Sequence, residues 1–274
     1  MTDRKYRFGI VTVPQDPERW PATARRVEEL GYSTLLMPDG PQLPATLPAL
    51  AAAATAAPSL RVGPFVMAVP LHPAGLLAWE AHSMTRLTGG RFELGIGTGL
   101  PRLVEDGARL VGEQPLTWAE RLDRVGETID RLREFDGEAH TPVMMAAGGP
   151  RALALAAEKA DIVALGAGPL ATRDEVRGSV DRLLEAAGQR GDEIELSMNL
   201  FVVGDEVPAW TQGFLGVDAA ALRDANSLSM LRGSTQDQID ELERRRERFG
   251  ASYITVQGTF MEAFAPVVEK LAGT

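Results

Sequence analysis

The feature that most restricts this chain is an alternation. Eight short apolar runs recur from end to end, at residues 8–13, 34–38, 62–69, 92–97, 142–146, 162–165, 194–203 and 253–257, and segments of helical apolar spacing separate them. Strands joined through helices pair in parallel, because the helix carries the chain back to the edge where the next strand starts. Eight such units in series, without a linker or low-complexity stretch, predict an α/β fold in which residues 1–274 form a single (β/α)8 TIM barrel.

The helical segments carry one apolar stripe each: Trp20, Ala24, Val27 and Leu30; Trp118, Leu122, Val125, Ile129 and Leu132; Val176, Val180, Leu183 and Ala187; Ile239, Leu242 and Phe249. Ser234 with Asp237 three residues on reads as a helix start, and Gly31 and Gly250 stand where C-terminal caps belong. Residues 98–117 and 204–234 are long loops that follow strands. They therefore belong to the mouth at the strands' C-terminal ends, where barrel active sites are built.

Composition narrows the function classes. With 45% hydrophobic and 24% charged residues the chain can bury a large core. A net charge of −10 repels phosphate backbones and anionic lipid, so neither nucleic acid nor membrane is expected as a partner. The N-terminus lacks an apolar signal-like segment, and a soluble, cytoplasmic protein is expected. The absence of cysteine removes thiolate catalysis, and three histidines are too few to suggest a metal site.

In the fourth run, period two sends Phe92, Leu94 and Ile96 to one face and Glu93, Gly95 and Gly97 to the other. If the apolar set meets the helices, the glycines face the lumen and leave room for a planar ring; a bulge or tight turn is the alternative. Glu93 would need an arginine partner inside the barrel. After the fifth run, Gly148-Gly149-Pro150-Arg151 opens a helix over residues 152–159. Backbone N–H groups, a helix N-terminus and Arg151 suit a phosphate there, although a plain turn has the same pattern. His72 follows the third run and so belongs to the mouth, as a catalytic group or as an ordinary His-Pro loop boundary. His82 and His140 read as structural. Leu100, Leu103, Trp210 and Phe214 make the two long mouth loops apolar, which fits a hydrophobic substrate pocket, a lid or ordinary loop packing.

The segments VEELGYSTLLMPDG at 27–40, GRFELGIGTG at 90–99, PVMMAAGGPRALALAAEKADIVAL at 142–165 and LRGSTQDQIDELERRRERFGASYITV at 231–256 resemble the luciferase-like flavin and deazaflavin oxidoreductases. Their similarity is greatest to the branch that depends on coenzyme F420. The resemblance implies cofactor contacts at Asp39, at a bulge in the third strand near Met67 and Ala68, and at Thr98 and Gly99. Phosphate contacts are implied at Gly148, Gly149, Arg151 and Ala152. It also implies a non-prolyl cis peptide around residues 67–69 and, often, a homodimer. The pattern of the sugar-phosphate enzymes is broken at Gly40, Leu100 and Leu103, where polar proton-transfer residues are usual.

These observations predict an oxidoreductase that exchanges hydride between coenzyme F420 and a small, apolar organic substrate, with His72 as the catalytic candidate. The alternatives are an FMN-dependent luciferase-like monooxygenase and a flavin-binding barrel without catalysis. A phosphate-binding lyase or isomerase would want a lysine or glutamate at a strand end, and Lys5, Lys159 and Lys270 are badly placed for that.

Overall fold

The computed structural model describes residues 4–274. In chain order the first half contains β1 (Arg7–Val11), α1 (Trp20–Glu29), β2 (Thr34–Met37), α2 (Thr46–Ala56), β3 (Arg61–Pro64), β4 (Met67–Ala68), α3 (Ala74–Leu87), β5 (Leu94–Gly97), α4 (Arg102–Val111) and α5 (Trp118–Asp136). The second half contains β6 (Val143–Ala147), α6 (Pro150–Lys159), β7 (Ile162–Leu165), α7 (Arg173–Ala187), β8 (Glu195–Leu200) and β9 (Val202–Val203). It ends with α8 (Ala209–Leu215), α9 (Ala219–Asp224), β10 (Met230–Leu231), α10 (Thr235–Phe249), β11 (Ala251–Gln257) and α11 (Met261–Leu271).

One parallel sheet runs β3-β2-β1-β11-β8-β7-β6-β5-β4, and a parallel bridge between Val62 and Phe92 closes it into a barrel. The pleat sorts side chains as the sequence pattern requires. Phe92, Leu94 and Ile96 are fully buried in the core that the helices cover, together with Val125, Ile129 and Leu132 of α5. A smaller cluster of Val11, Leu36, Met144, Ile162, Ala164 and Tyr253 fills the barrel interior, with Phe65 against it.

Helix ends follow local chemistry. Ser234 accepts from the Asp237 N–H, while Asp237 accepts from the Ser234 N–H, a reciprocal box repeated at Thr117 with Glu120 and Thr172 with Glu175. Gly31 and Gly250 adopt the left-handed conformation past α1 and α10.

The third predicted strand departs from expectation. It is two pieces, β3 pairing with β2 and β4 pairing with β5, broken at a cis peptide between Phe65 and Val66 rather than within 67–69. The break explains the glycines of β5. They sit on the interior side, but Gly95 does not leave an open slot: an ideal Cβ there would stand 2.0 Å from the Pro64 carbonyl oxygen, and one on Gly97 would meet a Val66 methyl at 3.0 Å. The missing side chains make room for the protein's own bulge. The seventh predicted strand also differs. The run at 194–203 splits into β8 and β9, and β9 pairs with β10 in a separate two-stranded sheet.

Inside the floor of the barrel, Glu93 has its arginine. Arg7 Nη1 lies 3.0 Å from Glu93 Oε2, Arg61 Nε is 3.6 Å from the same oxygen, and the Tyr253 hydroxyl donates to Glu93 Oε1 at 2.7 Å. Arg7 also forks onto Glu195, with Nε and Nη2 at 2.9 and 2.6 Å from Oε2, and stacks 3.5 Å from the Tyr253 ring centroid.

Gly95→Ala should therefore cost about 3 kcal/mol or more, because the obstacle is backbone, whereas Gly97→Ala should cost about 1 kcal/mol, because a valine methyl can give way. Chemical denaturation of both variants checks the order; equal losses would contradict the account of Gly95.

Candidate active site

Asp39 leaves the end of β2 and its side chain is almost wholly buried at the mouth. Thr46 donates to Oδ1 at 3.1 Å, and the Ala68 N–H donates to Oδ2 at 3.0 Å. His72 Nε2 lies 2.9 Å from the same Oδ2, which places its N–H on the carboxylate. The other ring nitrogen, Nδ1, has no protein partner among the described residues, and the imidazole is partly exposed. Burial alone would raise the Asp39 carboxyl. The hydrogen bond and charge of His72, with the Ala68 and Thr46 donors, outweigh it and hold the group below the ordinary carboxylate value. The arrangement fixes one histidine nitrogen on an anion and presents the other as a proton acceptor, or as a donor once protonated.

Both elements depend on the bulge. After β4 a 3-10 turn at Val69–Leu71 carries the chain to His72, and α4 rests on that turn. Gly107 of α4 permits the contact, since a Cβ there would lie 2.3 Å from the Pro70 carbonyl oxygen. Leu103 packs with Ala68 and Leu71, so this unexpected leucine anchors the long loop and does not face a proton. Leu100 is half exposed on the rim.

The remaining predicted residues fall into two groups. Ala68, Thr98 and Gly99 converge: a Cβ on Gly99 would be 3.2 Å from the Ala68 methyl. Met67 turns its side chain into the helix-side core, and only its backbone belongs to the rim. On the neighbouring strands, the Gly166 N–H donates to the Ala147 carbonyl at 2.7 Å and holds the turn of Gly148 and Gly149. Gly149 is the N-cap of α6, whose first residue, Pro150, lies two positions before the helix start expected, and no side chain caps the terminus. Arg151 is exposed, while Ala152 is buried and offers only its N–H. No atom would meet a Cβ on Gly149 within 4 Å. A phosphate fits this terminus, because first-turn N–H groups have no partner inside a helix and the space before them is open.

His82 and His140 lie away from the mouth. His82 Nδ1 is 2.9 Å from Asp136, and His140 Nε2 is 2.9 Å from Asp161, both near the start of β6. Sequence reasoning missed two features, Arg121 and Thr46. Arg121 of α5 is buried and donates to the carbonyls of Thr98 and Gly99 at 2.9 and 3.0 Å. Thr46 supports Asp39. A cavity of 810 Å³ opens beside the strand ends, bounded by Val11, Pro38 and Gln257 below and by Trp20, Trp210 and Phe214 around its sides. Its volume suits a small organic molecule. Trp210 and Phe214 belong to α8, and the Phe214 ring stands 5.3 Å from that of Phe201. The aromatic pair in the loop was the available signal for this wall.

Comparison with known proteins agrees with this architecture. The family model for luciferase-like monooxygenases matches residues 6–211. Among solved structures, an F420-dependent secondary alcohol dehydrogenase bound to an F420-acetone adduct superimposes with a TM-score of 0.78 at 14% identity, covering 98% of this chain and 99% of that one. The coenzyme F420-dependent tetrahydromethanopterin reductase of Methanopyrus kandleri gives 0.72 at 16% identity, covering 98% and 99%. A long-chain alkane monooxygenase gives 0.76 at 14% identity, covering 99% and 92%. At these identities the likeness is one of fold.

Two outcomes follow from the geometry. Gly149→Asp places a good N-cap in open space, so it should leave the protein as stable or a few tenths of a kcal/mol more stable while repelling a bound phosphate. Thermal melting and binding of FMN or coenzyme F420 check this; unchanged affinity refutes a phosphate at that turn. Because Asp39 has a lowered folded pKa, its contribution is complete above the unfolded value near about 4 and disappears as pH falls through the folded value. Asp39→Asn should thus lose about 1–3 kcal/mol at pH 7 and much less at acid pH. Denaturant titrations at both pH values test the sign.

Proposed function

This chain belongs to the luciferase-like monooxygenase family, and from that premise we propose that it is an oxidoreductase holding coenzyme F420 across the barrel mouth, exchanging hydride with a small, apolar organic substrate. The observation that carries this reading is the Asp39–His72 pair. It places one free imidazole nitrogen on the rim that also bears the bulge, the Thr98–Gly99 turn and the α6 terminus.

The residues divide the work. Gly148, Gly149, Arg151 and Ala152 would hold the phosphate through backbone donors and one exposed cation, and Ala68, Thr98 and Gly99 would border the ring. The bound cofactor supplies the carbon that accepts or donates hydride. His72 Nδ1 takes up or releases the proton that accompanies hydride transfer at a carbonyl or alcohol oxygen, and Asp39 fixes its tautomer and steadies its charged form. Trp20, Trp210 and Phe214 on the cavity's aromatic side would orient the substrate, so positioning carries most of the acceleration.

FMN with oxygen chemistry is the second reading, because monooxygenases occur among the proteins of the same fold. We further propose a cytoplasmic protein that pairs with a second copy through α2 and α3. Leu76, Trp79 and Leu87 lie exposed along α3, and α2 contains no charged residue in a chain of charge −10. No helix among the described residues is long and apolar enough to cross a membrane.

Titration of purified protein with coenzyme F420 and with FMN tests the cofactor: tighter F420 binding, with reoxidation of reduced F420 by carbonyl acceptors in the absence of oxygen, is expected. Tight FMN binding with oxygen-dependent turnover and no affinity for F420 would replace the first reading by the second. His72→Ala should slow turnover by less than about a hundredfold, the lower range for a positioned acid or base.

A further inference from the structure

We infer that Gln257 selects the substrate, and that the molecule admitted to the mouth cavity is a flat, neutral aromatic compound with an amide-like edge, an N–H and a carbonyl side by side. The inference rests on reading that cavity as the substrate chamber.

The argument starts from an amide that the protein leaves unused. Val11 and Tyr253 fill the barrel interior, and β11 pairs with β1 so that Gln257 stands beside Val11. Period two therefore sends the Gln257 side chain to the interior face above Tyr253, where it lines the cavity with Val11 and Pro38. Its amide is half-buried and has no hydrogen-bond partner among the described residues. A glutamine presents donors and an acceptor from one planar group. A lone ketone or alcohol uses only part of it, whereas a cis amide, a lactam or a urea matches both atoms through two parallel hydrogen bonds.

Charge points the same way. Among the described residues Asp16 and Arg19 are the only ionisable groups along the walls, both exposed, with Arg19 Nε 3.4 Å from Asp16 Oδ2. No unmatched cation is left for a carboxylate or a phosphate, so a charged ligand would enter without a counter-ion.

The walls favour a ring. Trp20 is buried, and its Nε1–H donates to the Ala49 carbonyl at 2.8 Å, which makes the indole a rigid side of the chamber. Trp210 and Phe214 stand one turn apart on α8, so they share a face, and both border the cavity although 40% and 55% exposed. Aromatic area left open beside a cavity is covered best by another flat π-system.

Calorimetric titrations test both contacts, on the protein alone and with saturating F420 or FMN. The probes are 2-quinolinone, N-methyl-2-quinolinone, quinoline-2-carboxylate and 2-piperidinone. 2-Quinolinone should bind about tenfold more tightly than its N-methyl derivative, which lacks the donor and leaves Gln257 Oε1 unmatched. It should also bind more tightly than the carboxylate. Gln257→Leu should abolish the tenfold preference, and Gln257→Glu, of equal length but without amide donors, should weaken 2-quinolinone as well. Phe214→Ala should weaken both quinolinones by a similar factor and change 2-piperidinone, which has the edge without the ring, much less. Equal affinity of wild type for the two quinolinones, a preference that survives Gln257→Leu, a tighter carboxylate, or no binding in either state each overturns the inference. If neither F420 nor FMN binds, the cofactor reading fails alone, because the titrations of the unloaded protein still decide whether Gln257 reads the ligand's edge.

Discussion

The cluster of charge at the barrel floor is the constraint on which the rest of the fold depends. Arg7 of β1 reaches Glu195 of β8 and Glu93 before β5, while Tyr253 of β11 and Arg61 of β3 complete the coordination of Glu93. Five strands that are distant in sequence are thereby held to one register. The interaction is worth having only if it is complete, because removing one member of a buried ionic set leaves the others desolvated, at a cost of about 3–5 kcal/mol. Burial pushes the Tyr253 phenol well above its ordinary value, assisted by the charge of Glu93, so the hydroxyl remains a donor. With charge confined to the floor and apolar side chains in the middle, the polar work of the molecule falls to the mouth.

Much of this was legible in the residues themselves. Strands, their parallel order and their two faces follow from period-two patterns such as that around Leu94 and Ile96, because a sheet covered by helices leaves the pleat little choice. Caps such as Ser234 with Asp237 are local and were equally plain. What could not be read depends on atoms far away in sequence. The glycine pattern announced that β5 needs space, yet only the break after Pro64 says what fills it. The predicted Asp39 and His72 are 33 positions apart, and nothing in either neighbourhood says that they share a hydrogen bond. Arg121 resembles any polar residue beside an apolar stripe until its burial against the Thr98 and Gly99 carbonyls is seen. The helices inside the mouth loops, α4, α8 and α9, are six to ten residues long, too short for an amphipathic period to separate them from loop.

The mouth itself is assembled from two kinds of element. One side is backbone: the bulge, the Thr98–Gly99 turn and the Gly148–Gly149 turn. The other is side chain: aromatic walls from α1 and α8, and the Asp39–His72 pair. Backbone donors in fixed strands and turns are suited to an invariant group such as a phosphate, whereas side chains on a short helix can change without disturbing the barrel.

The excursion between β9 and β10 begins and ends on its own ladder, with the Val202 N–H on the Ser229 carbonyl at 3.1 Å and the Gly204 N–H on the Leu231 carbonyl at 2.8 Å. Between residues 205 and 226 only Thr211 and Leu222 are fully buried. Its two ends are thus fastened at strand distance whatever lies between them, and the entropy of closing a longer insert grows only logarithmically with its length. The segment is in effect a cassette. Libraries that exchange it, keeping a leucine to plug the core at 222, would redraw the shape and polarity of the chamber while the rim that bears Asp39 and His72, built on other loops, stays in place.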